Sequence, residues 1–272
     1  MLKTLKWIAA PFRPRLVPSF LIIGAQKAGT SALFQLLAAH QQILPPTVKE
    51  HHFFDRDDEF KQGLSHYLRG FPLKPWRRND QVTFEATPNY LFHESVAKRI
   101  HGMLPNLKLI VVLRDPVGRA YSAWNMYRQF KEHPRYARLH DPRSFEEAVA
   151  DEINGRTTAQ PHLYLARGHY APQLRRYFDL FGRERILVLK HRDLDKDPQT
   201  IMRSCCTFLG LAPFTGAVDR LSVRDNVRPY ASKVDEELRR TLVSYFLPHM
   251  QELVGLLGPE WDLMTGGADA RP

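Results

Sequence analysis

Glycines and a lysine form a candidate phosphate loop early in the chain. The segment GAQKAGTSAL, residues 24–33, places Gly24 and Gly29 in a G-x-x-x-x-G frame and adds the polar side chains of Lys27 and Ser31. An apolar run precedes the segment, and apolar residues at helical spacing follow. Backbone amides in such a strand–loop–helix connection bind phosphate groups. We therefore predict a phosphate cradle at this loop.

The loop differs from that of a nucleoside triphosphatase at one position. Such an enzyme carries a lysine directly after the second glycine, where it reaches the β- and γ-phosphates. This chain has Thr30 there, and its loop lysine is Lys27. The later apolar run ends in Arg114 before Asp115, so no Walker-B aspartate is evident either. A metal-dependent ATPase is disfavoured, and a P-loop nucleotide kinase remains an alternative.

A second candidate anion site follows the most apolar run, residues 107–113. Arg114 stands at the end of this run, and Ser122 lies in the helical stretch that follows. A guanidinium offers a planar fork of donors to phosphate oxygens, and a hydroxyl adds one more. The alternative is that Arg114 pairs with Asp115 or another nearby acid and that Ser122 is ordinary helix surface. Together with the phosphate loop, the functional interpretation predicts a ligand with a 5′-phosphate and a 3′-phosphate.

The segment HHFFD, residues 51–55, contains two adjacent histidines and two adjacent phenylalanines. His51 and His52 could bind a metal ion, but adjacent histidines seldom share one ion and no third ligand is evident. Phe53 and Phe54 are expected in the core. Three aromatic residues of the helical stretch after residue 115 have the i, i+3 spacing of a packing stripe, with the edge of an acceptor cleft as the alternative: Tyr121, Trp124 and Tyr127.

Apolar runs alternate with helical stretches along the chain. Continuously apolar strands between helices are typical of a parallel sheet that helices cover on both faces. We expect an α/β, P-loop-like three-layer fold with a central, mostly parallel β-sheet flanked by helices, and ligands beyond the carboxyl ends of the strands. The predicted strands are 20–24, 81–86, 107–113 and 185–190, and the predicted helices are 30–40, 116–129, 171–181, 198–209 and 233–257.

The composition is that of an ordinary globular domain. Of the 272 residues, 43% are hydrophobic and 25% are charged, which argues against a disordered chain. We predict an N-terminal arm over 1–17, one domain over 18–264 and a C-terminal tail over 265–272. The apolar piece near the N-terminus is too short for a membrane span and lacks the features of a signal peptide.

The chain carries a formal net charge of +10. Such an excess suits a phosphorylated or sulfated ligand, nucleic acid or an anionic membrane surface, so a non-enzymatic basic anion-binding module is a second alternative. The cysteines, Cys205 and Cys206, are adjacent, where a mutual disulfide is disfavoured. This cysteine usage indicates a reducing, cytoplasmic setting.

Several segments, in their order along the chain, resemble one known family. GAQKAGTSAL and RDPVGRAYS resemble the two signatures with which sulfotransferases bind 3′-phosphoadenosine-5′-phosphosulfate (PAPS). The segments 47–55 (TVKEHHFFD), 84–91 (FEATPNYL) and 167–198 resemble the heparan sulfate 3-O- and N-sulfotransferase branch and its bacterial relatives. The resemblance covers roughly residues 18–262 and implies a PAPS-dependent sulfotransferase.

The resemblance implies donor-binding roles for the residues that match. Lys27 would contact the 5′-phosphosulfate and steady the bridging oxygen as it gains charge. Arg114 and Ser122 would hold the 3′-phosphate, and Arg228 would belong to a late loop that closes over the donor. Adenosine 3′,5′-bisphosphate would be the product, and no metal would be required. The implied PAPS-binding set is Lys27, Ala28, Gly29, Thr30, Ser31, Arg114, Ser122 and Arg228.

The resemblance also implies in-line transfer with a carboxylate as the general base. Glu50 occupies the position of the base, with His52 and Asp55 as supporting neighbours. His52 is the rival base, since an unperturbed imidazole titrates near neutrality. We favour Glu50 because of its position in the family pattern.

The acceptor is expected to be a small molecule or a glycan with a free hydroxyl, in preference to an amine, and no nucleic acid partner is expected. Glycosaminoglycan-modifying enzymes often carry a lysine in the E-x-T-P segment where this chain has Ala86, which argues against a heparan-type acceptor. The late loop also lacks the paired cysteines of the animal Golgi enzymes. These departures are typical of a bacterial or other cytoplasmic relative.

Overall fold

Four short apolar strands form the central sheet of the computed structural model, which describes residues 13–76, 80–216 and 234–264. They are β1 (Phe20–Gly24), β2 (Phe84–Ala86), β3 (Lys108–Leu113) and β4 (Ile186–Lys190), in the order β2-β1-β3-β4. All four run parallel, and Leu21 of β1 lies opposite Glu85 of β2 and Leu109 of β3. Every residue of β1 and β2 is buried, as helices on both faces require. The predicted α/β class is confirmed.

Helices connect and cover these strands. Within the described ranges they are α1 (Thr30–Ala38), α2 (Asp57–Phe60), α3 (Gly63–Tyr67), α4 (Val96–Met103), α5 (Pro116–Arg128), α6 (Phe145–Ile153), α7 (Tyr170–Phe181), α8 (His191–Lys196), α9 (Pro198–Leu209) and α10 (Glu236–Leu257). Short 3₁₀ turns occur at Leu68–Gly70, Ala137–Leu139, Gln160–His162, Ala166–Gly168, Arg183–Arg185 and Pro259–Trp261.

The described residues divide into two compact units. The first comprises 13–24, 29–112 (apart from 77–79) and 177–216, and the second comprises 25–28, 113–176 and 234–264. The predicted boundaries of one domain over 18–264, with an arm and a tail, stay a prediction.

Aromatic packing builds the core of the first unit. The ring of Phe84 stacks on Phe20 with centroids 4.9 Å apart and lies 4.8 Å from the ring of Phe34. Phe53 and Phe54 are 2% and 0% exposed, so the prediction that they are core residues is confirmed. These contacts fix β1, β2 and α1 against one another.

The core of the second unit centres on α5. Tyr121, Trp124 and Tyr127 are all buried there, so the predicted packing stripe is confirmed. Tyr121 and Trp124 stack with ring centroids 5.3 Å apart. Phe145 of α6 and Phe246 of α10 belong to the same apolar cluster, which holds α5 in a fixed position.

Two predicted elements are shorter than expected for identifiable reasons. The strand predicted over 81–86 begins only at Phe84, because Val82 pairs instead with Ile43 in an isolated parallel bridge. The helix predicted over 30–40 ends at Ala38. His40 Nδ1 accepts a hydrogen bond from the amide of Gln42 at 3.1 Å, and this local bond turns the chain out of the helix.

The close approach at the end of β1 gives a test of the packing. A Cβ atom at Gly24 would lie 2.5 Å from the Cβ of Leu91, whereas one at Gly102 of α4 would meet nothing within 4 Å. We expect Gly24→Ala to lower the free energy of unfolding by about 1–3 kcal/mol because the added methyl overpacks the site. Gly102→Ala, the matched control, should raise it by up to about 1 kcal/mol through helix propensity. Equilibrium urea unfolding measures both, and equal stability of the two variants would contradict the packing argument.

Candidate functional site

The predicted strand–loop–helix connection is present between β1 and α1. Gly29 has a φ of 89°, in the left-handed region that glycine adopts without steric cost. A Cβ at this position would also lie 3.0 Å from the ring of His191. Gly29 is the N-cap of α1, so no side chain caps the first amides of this helix. The first turn of α1 contains no acidic residue. The amides at the start of α1 therefore face no competing protein carboxylate within their own helical turn.

Two candidate site residues have strained backbones. Lys27 has a φ of 66° and His52 a φ of 52°, and they are the two non-glycine residues with positive φ in the described part of the chain. A non-glycine residue in this region costs about 1–3 kcal/mol, so the surrounding structure must enforce it. Such strain concentrates at functional sites. The backbone thus singles out the same lysine and histidine as the sequence did.

Side-chain hydrogen bonds fix the loop residues within the second unit. Arg114 Nη1 donates to the carbonyl oxygen of Lys27 at 3.2 Å. Gln26 Nε2 donates to Tyr127 Oη at 3.1 Å. The carbonyl of Arg114 in turn accepts a hydrogen bond from Tyr170 Oη at 2.9 Å. The arginine expected at one phosphate is therefore in direct contact with the backbone of the lysine expected at the other.

The start of α5 explains the role of Asp115. Asp115 is the N-cap, and its carboxylate accepts hydrogen bonds from the amides of Val117 at 3.3 Å and Gly118 at 2.8 Å. Pro116 occupies the first helical position, where no amide is needed. Asp115 thus serves as a cap, which weakens the alternative that it is there to neutralise Arg114. Ser122 is 6% exposed, so the alternative that it is ordinary helix surface is wrong.

A chain of hydrogen-bonded polar groups surrounds Glu50 in the first unit. Lys49 Nζ donates to Ser31 Oγ at 2.8 Å and to Glu50 Oε1 at 2.7 Å. His52 Nε2 lies 3.4 Å from Glu50 Oε2. On its other side, His52 Nδ1 lies 2.9 Å from Asp55 Oδ2. The candidate base, its supporting residues and a serine of the phosphate loop are therefore connected.

These contacts set the charges of the group. Burial lowers the pKa of His52, but its hydrogen bonds with Asp55 and Glu50 outweigh burial and raise the pKa to about 10. Burial raises the pKa of Glu50, but the hydrogen bond from His52 and the charge of Lys49 bring it below its ordinary value. At neutral pH, His52 is an imidazolium between two carboxylates. It cannot accept a further proton, whereas Glu50 can.

Sequence reasoning missed two residues that complete this chain of contacts. Lys49 connects Ser31 with Glu50, and Asn89 donates from Nδ2 to Asp55 Oδ2 at 2.6 Å. Both lie inside segments that resemble the sulfotransferase family. Their polar side chains within those segments were the available signal.

The fully buried carboxylate of Glu85 holds the backbone next to Glu50. Glu85 Oε1 accepts hydrogen bonds from Tyr90 Oη at 2.7 Å and Thr87 Oγ1 at 2.5 Å, and Glu85 Oε2 accepts one from Tyr67 Oη at 2.5 Å. The amide of His51 also donates to Glu85 Oε1, at 3.2 Å. Burial and the charge of Glu85 raise the pKa values of Tyr67 and Tyr90, which keeps both as hydrogen-bond donors. Glu85 thus anchors the backbone next to Glu50.

The two adjacent histidines have different surroundings. The ring of His51 stacks on Phe71 with centroids 4.8 Å apart, and burial lowers its pKa. His52 lies between Glu50 and Asp55 instead. Since their side chains have separate partners, the metal-pair interpretation gains no support. Arg228, the remaining predicted donor-binding residue, lies outside the described residues.

No helix in the described part of the chain combines the length and apolar character needed to cross a bilayer.

Comparisons with known proteins agree with the resemblance seen in the sequence. The model of the family described as "Sulfotransferase domain" matches residues 18–239. The human bifunctional heparan sulfate N-deacetylase/N-sulfotransferase 3 is 30% identical over 268 residues, which cover 89% of this chain and 30% of the relative. The mouse bifunctional heparan sulfate N-deacetylase/N-sulfotransferase 4 is 30% identical over 275 residues, which cover 89% of this chain and 30% of the relative. The chain therefore spans about 30% of the length of these curated relatives.

Solved structures give the same result. A sulfotransferase from Alicyclobacillus acidocaldarius is 31% identical, with a TM-score of 0.71 over 89% of this chain and 96% of that one. Mouse sulfotransferase SULT7A1, complexed with PAP, has a TM-score of 0.55 at 13% identity over 90% of this chain and 88% of that one, which shows a shared fold. Because the family model spans most of the chain and a bacterial sulfotransferase matches it over 96% of the solved chain, the chain belongs to the sulfotransferase domain family of transferases.

Proposed function

We propose that this chain transfers a sulfuryl group from PAPS to a hydroxyl, or less readily an amine, of a small-molecule or glycan acceptor. One observation carries the proposal beyond family membership. The guanidinium of Arg114 bonds to the backbone of Lys27, a strained residue in the phosphate loop. This bond places a guanidinium directly beside the backbone of the candidate phosphate loop, and a cation in that position suits an anionic nucleotide.

The loop and α5 supply the groups for donor binding. Lys27 contacts the 5′-phosphosulfate, with Ala28, Gly29, Thr30 and Ser31 contributing amides and hydroxyls at the start of α1. Arg114 and Ser122 hold the 3′-phosphate. PAPS supplies an activated sulfuryl group, and adenosine 3′,5′-bisphosphate leaves. Lys27 and Arg114 take up the negative charge, so the reaction needs no metal ion.

In the proposed transfer step, the acceptor hydroxyl attacks the sulfur of PAPS and loses its proton. The acceptor oxygen forms a bond to sulfur as the bond from sulfur to the 5′-phosphate oxygen breaks. Glu50 accepts the hydroxyl proton, and Lys27 stabilises the charge that develops on the leaving phosphate. His52, protonated and hydrogen-bonded to Asp55, holds Glu50 in position. A base in this role contributes about 10²–10⁴-fold to the rate.

The acceptor class is open to a direct screen. The curated relatives are named for heparan sulfate N-sulfation, an amine reaction, whereas Ala86 replaces a lysine frequent in glycosaminoglycan enzymes. Because Ala86 departs from the pattern of the heparan-modifying enzymes, we propose a hydroxyl acceptor in preference to the amine of those relatives. Labelled PAPS should be offered with small alcohols, a hydroxyl-bearing glycan and an N-desulfated glycan. Label transfer to the amine alone would redirect the proposal to N-sulfation.

We also propose that the enzyme acts in the cytoplasm. Cys205 and Cys206 are both buried free thiols. Burial raises the pKa of Cys205 to about 12, which keeps this thiol protonated and unreactive. Thiols that stay reduced in the folded protein are typical of a reducing compartment.

Donor binding can be tested without knowing the acceptor. We expect adenosine 3′,5′-bisphosphate to bind tightly in calorimetric titration and ATP with magnesium to bind weakly. Lys27→Ala and Arg114→Ala should each weaken bisphosphate binding about 10–100-fold, because each removes charge-assisted hydrogen bonds. The exposed residues Lys98 and Arg175 give matched controls, Lys98→Ala and Arg175→Ala, which should bind normally.

Other outcomes would favour the alternatives. Unchanged bisphosphate affinity in both site variants would refute the assignment of the two phosphate sites. Tight binding of ATP with magnesium would favour a kinase. Salt-sensitive binding of DNA or anionic vesicles that survives Lys27→Ala would favour a non-enzymatic basic module.

The role of the base gives a second prediction. Glu50→Gln keeps the shape of the side chain and removes its ability to take a proton. We expect normal bisphosphate affinity and a loss of turnover of about 10²–10⁴-fold, measured as label transfer from PAPS to an acceptor found in the screen. Wild-type turnover in this variant would show that Glu50 is not the base.

The charge of His52 predicts the shape of the pH profile. With Glu50 already ionised and His52 protonated until its pKa of about 10, kcat/KM should be nearly flat from about pH 6 to about pH 9. Above that range activity should fall as the imidazolium loses its proton. A base with the pKa of His52 would instead give a rate that rises about tenfold per pH unit across the same range. A rising profile that His52→Gln flattens would make His52 the base.

A further inference from the structure

Lys49 lies between the phosphate loop and the candidate base. Its Nζ is 2.8 Å from Ser31 Oγ and 2.7 Å from Glu50 Oε1. Its backbone carbonyl accepts a hydrogen bond from the amide of Ala86 at 3.2 Å, which fixes the residue at the carboxyl end of β2. The side chain is 24% exposed.

We propose that Lys49 is a positioning residue that locks the Glu50 carboxylate to the phosphate loop through Ser31. This inference rests on the proposed function, in which Ser31 contacts the donor and Glu50 takes the proton. It adds a residue that couples the binding of the donor to the placement of the base.

The hydrogen-bonding capacities of the three groups permit this coupling. An ammonium has three protons to donate and accepts none, so it can bond to a hydroxyl and a carboxylate together. When Ser31 Oγ accepts from Lys49, its own proton remains available for a phosphate oxygen. Hydrogen bonds in such a chain polarise one another, so Lys49 makes Ser31 a stronger donor.

The same ammonium constrains Glu50. Lys49 holds Oε1, and His52 faces Oε2 with Asp55 behind it. Two cations on a carboxylate fix its orientation and favour its ionised form. Lone pairs remain on both oxygens for the acceptor proton. Removal of Lys49 leaves one cation and allows the carboxylate to rotate.

A surface ion pair between neighbours is the competing explanation. Such pairs contribute about 0–1 kcal/mol and rarely control the position of a catalytic group. That explanation predicts at most a small upward shift in the titration midpoint of Glu50, and no loss of turnover, when Lys49 is replaced. The contact with Ser31, 18 residues earlier in the chain, is the feature that an isolated neighbour pair lacks.

The test combines a direct titration with kinetics. Glutamate carboxyl carbons labelled with ¹³C report the titration midpoint of Glu50 by NMR, with the signal assigned from Glu50→Gln. In Lys49→Met the midpoint should move upward, because a cation beside the carboxylate is lost, and in Lys49→Arg it should stay near wild type.

The kinetic measurement uses the same variants. kcat should fall about 10–100-fold in Lys49→Met and recover in part in Lys49→Arg, while bisphosphate affinity changes less than kcat. Lys98→Met on the exposed face of α4 is the control.

A second variant separates positioning from loss of charge. Ser31→Ala keeps the pair of Lys49 and Glu50 but removes the connection to the loop. Ser31→Ala and Lys49→Met should then be non-additive in kcat, because they break the same chain of contacts. An unchanged Glu50 midpoint in Lys49→Met, or additive kinetic effects, would overturn the inference. Failure of the proposed function is a different result, namely wild-type turnover in Glu50→Gln, and the NMR titration is independent of it.

Discussion

The parallel pairing of β1 with both of its neighbours is the constraint on which the site depends. Because Leu21 lies opposite Glu85 and Leu109, the carboxyl ends of β1, β2 and β3 are at one edge of the sheet. Each strand is followed there by polar residues, and parallel sheets place their ligands at this edge. A register shift of one residue would turn Glu85 from its buried hydroxyl partners to the opposite face. The register therefore supports the loop after β1 and the anchored backbone beside Glu50.

Charge pairing organises the polar groups within each unit. In the first unit, cations and carboxylates alternate from Lys49 through Glu50 and His52 to Asp55. In the second unit, Arg114 uses its guanidinium on a carbonyl oxygen and keeps its positive charge uncancelled by that contact. The carboxylates of the first group suit proton transfer, whereas the cation of the second suits an anionic ligand. Proton transfer and anion binding need groups of opposite charge, and the chain supplies the two kinds of group in separate clusters.

Backbone strain accompanies both arrangements. The left-handed conformations of Lys27 and His52 are unfavourable on their own, and nearby hydrogen bonds hold them. The carbonyl of Lys27 bonds to Arg114, and the imidazole of His52 bonds to Asp55. A flexible loop would lose these side-chain orientations to conformational entropy. The strain is therefore the cost of presenting a lysine and a histidine in fixed positions.

The sequence by itself determined the α/β class, the bounds of the four strands and of five of the ten described helices to within about three residues, and the strand–loop–helix connection at residues 24–33, because apolar periodicity and glycine spacing are local properties of a chain. It placed Glu50, His52 and Asp55 in one segment through family resemblance, but it left open which of the first two is the base. Only the tertiary structure decided the charges of that segment and brought Ser31 to Lys49 and Asn89 to Asp55, 34 residues away. Those contacts join segments that are distant in sequence, and they depend on sheet register and side-chain packing, which no local pattern encodes.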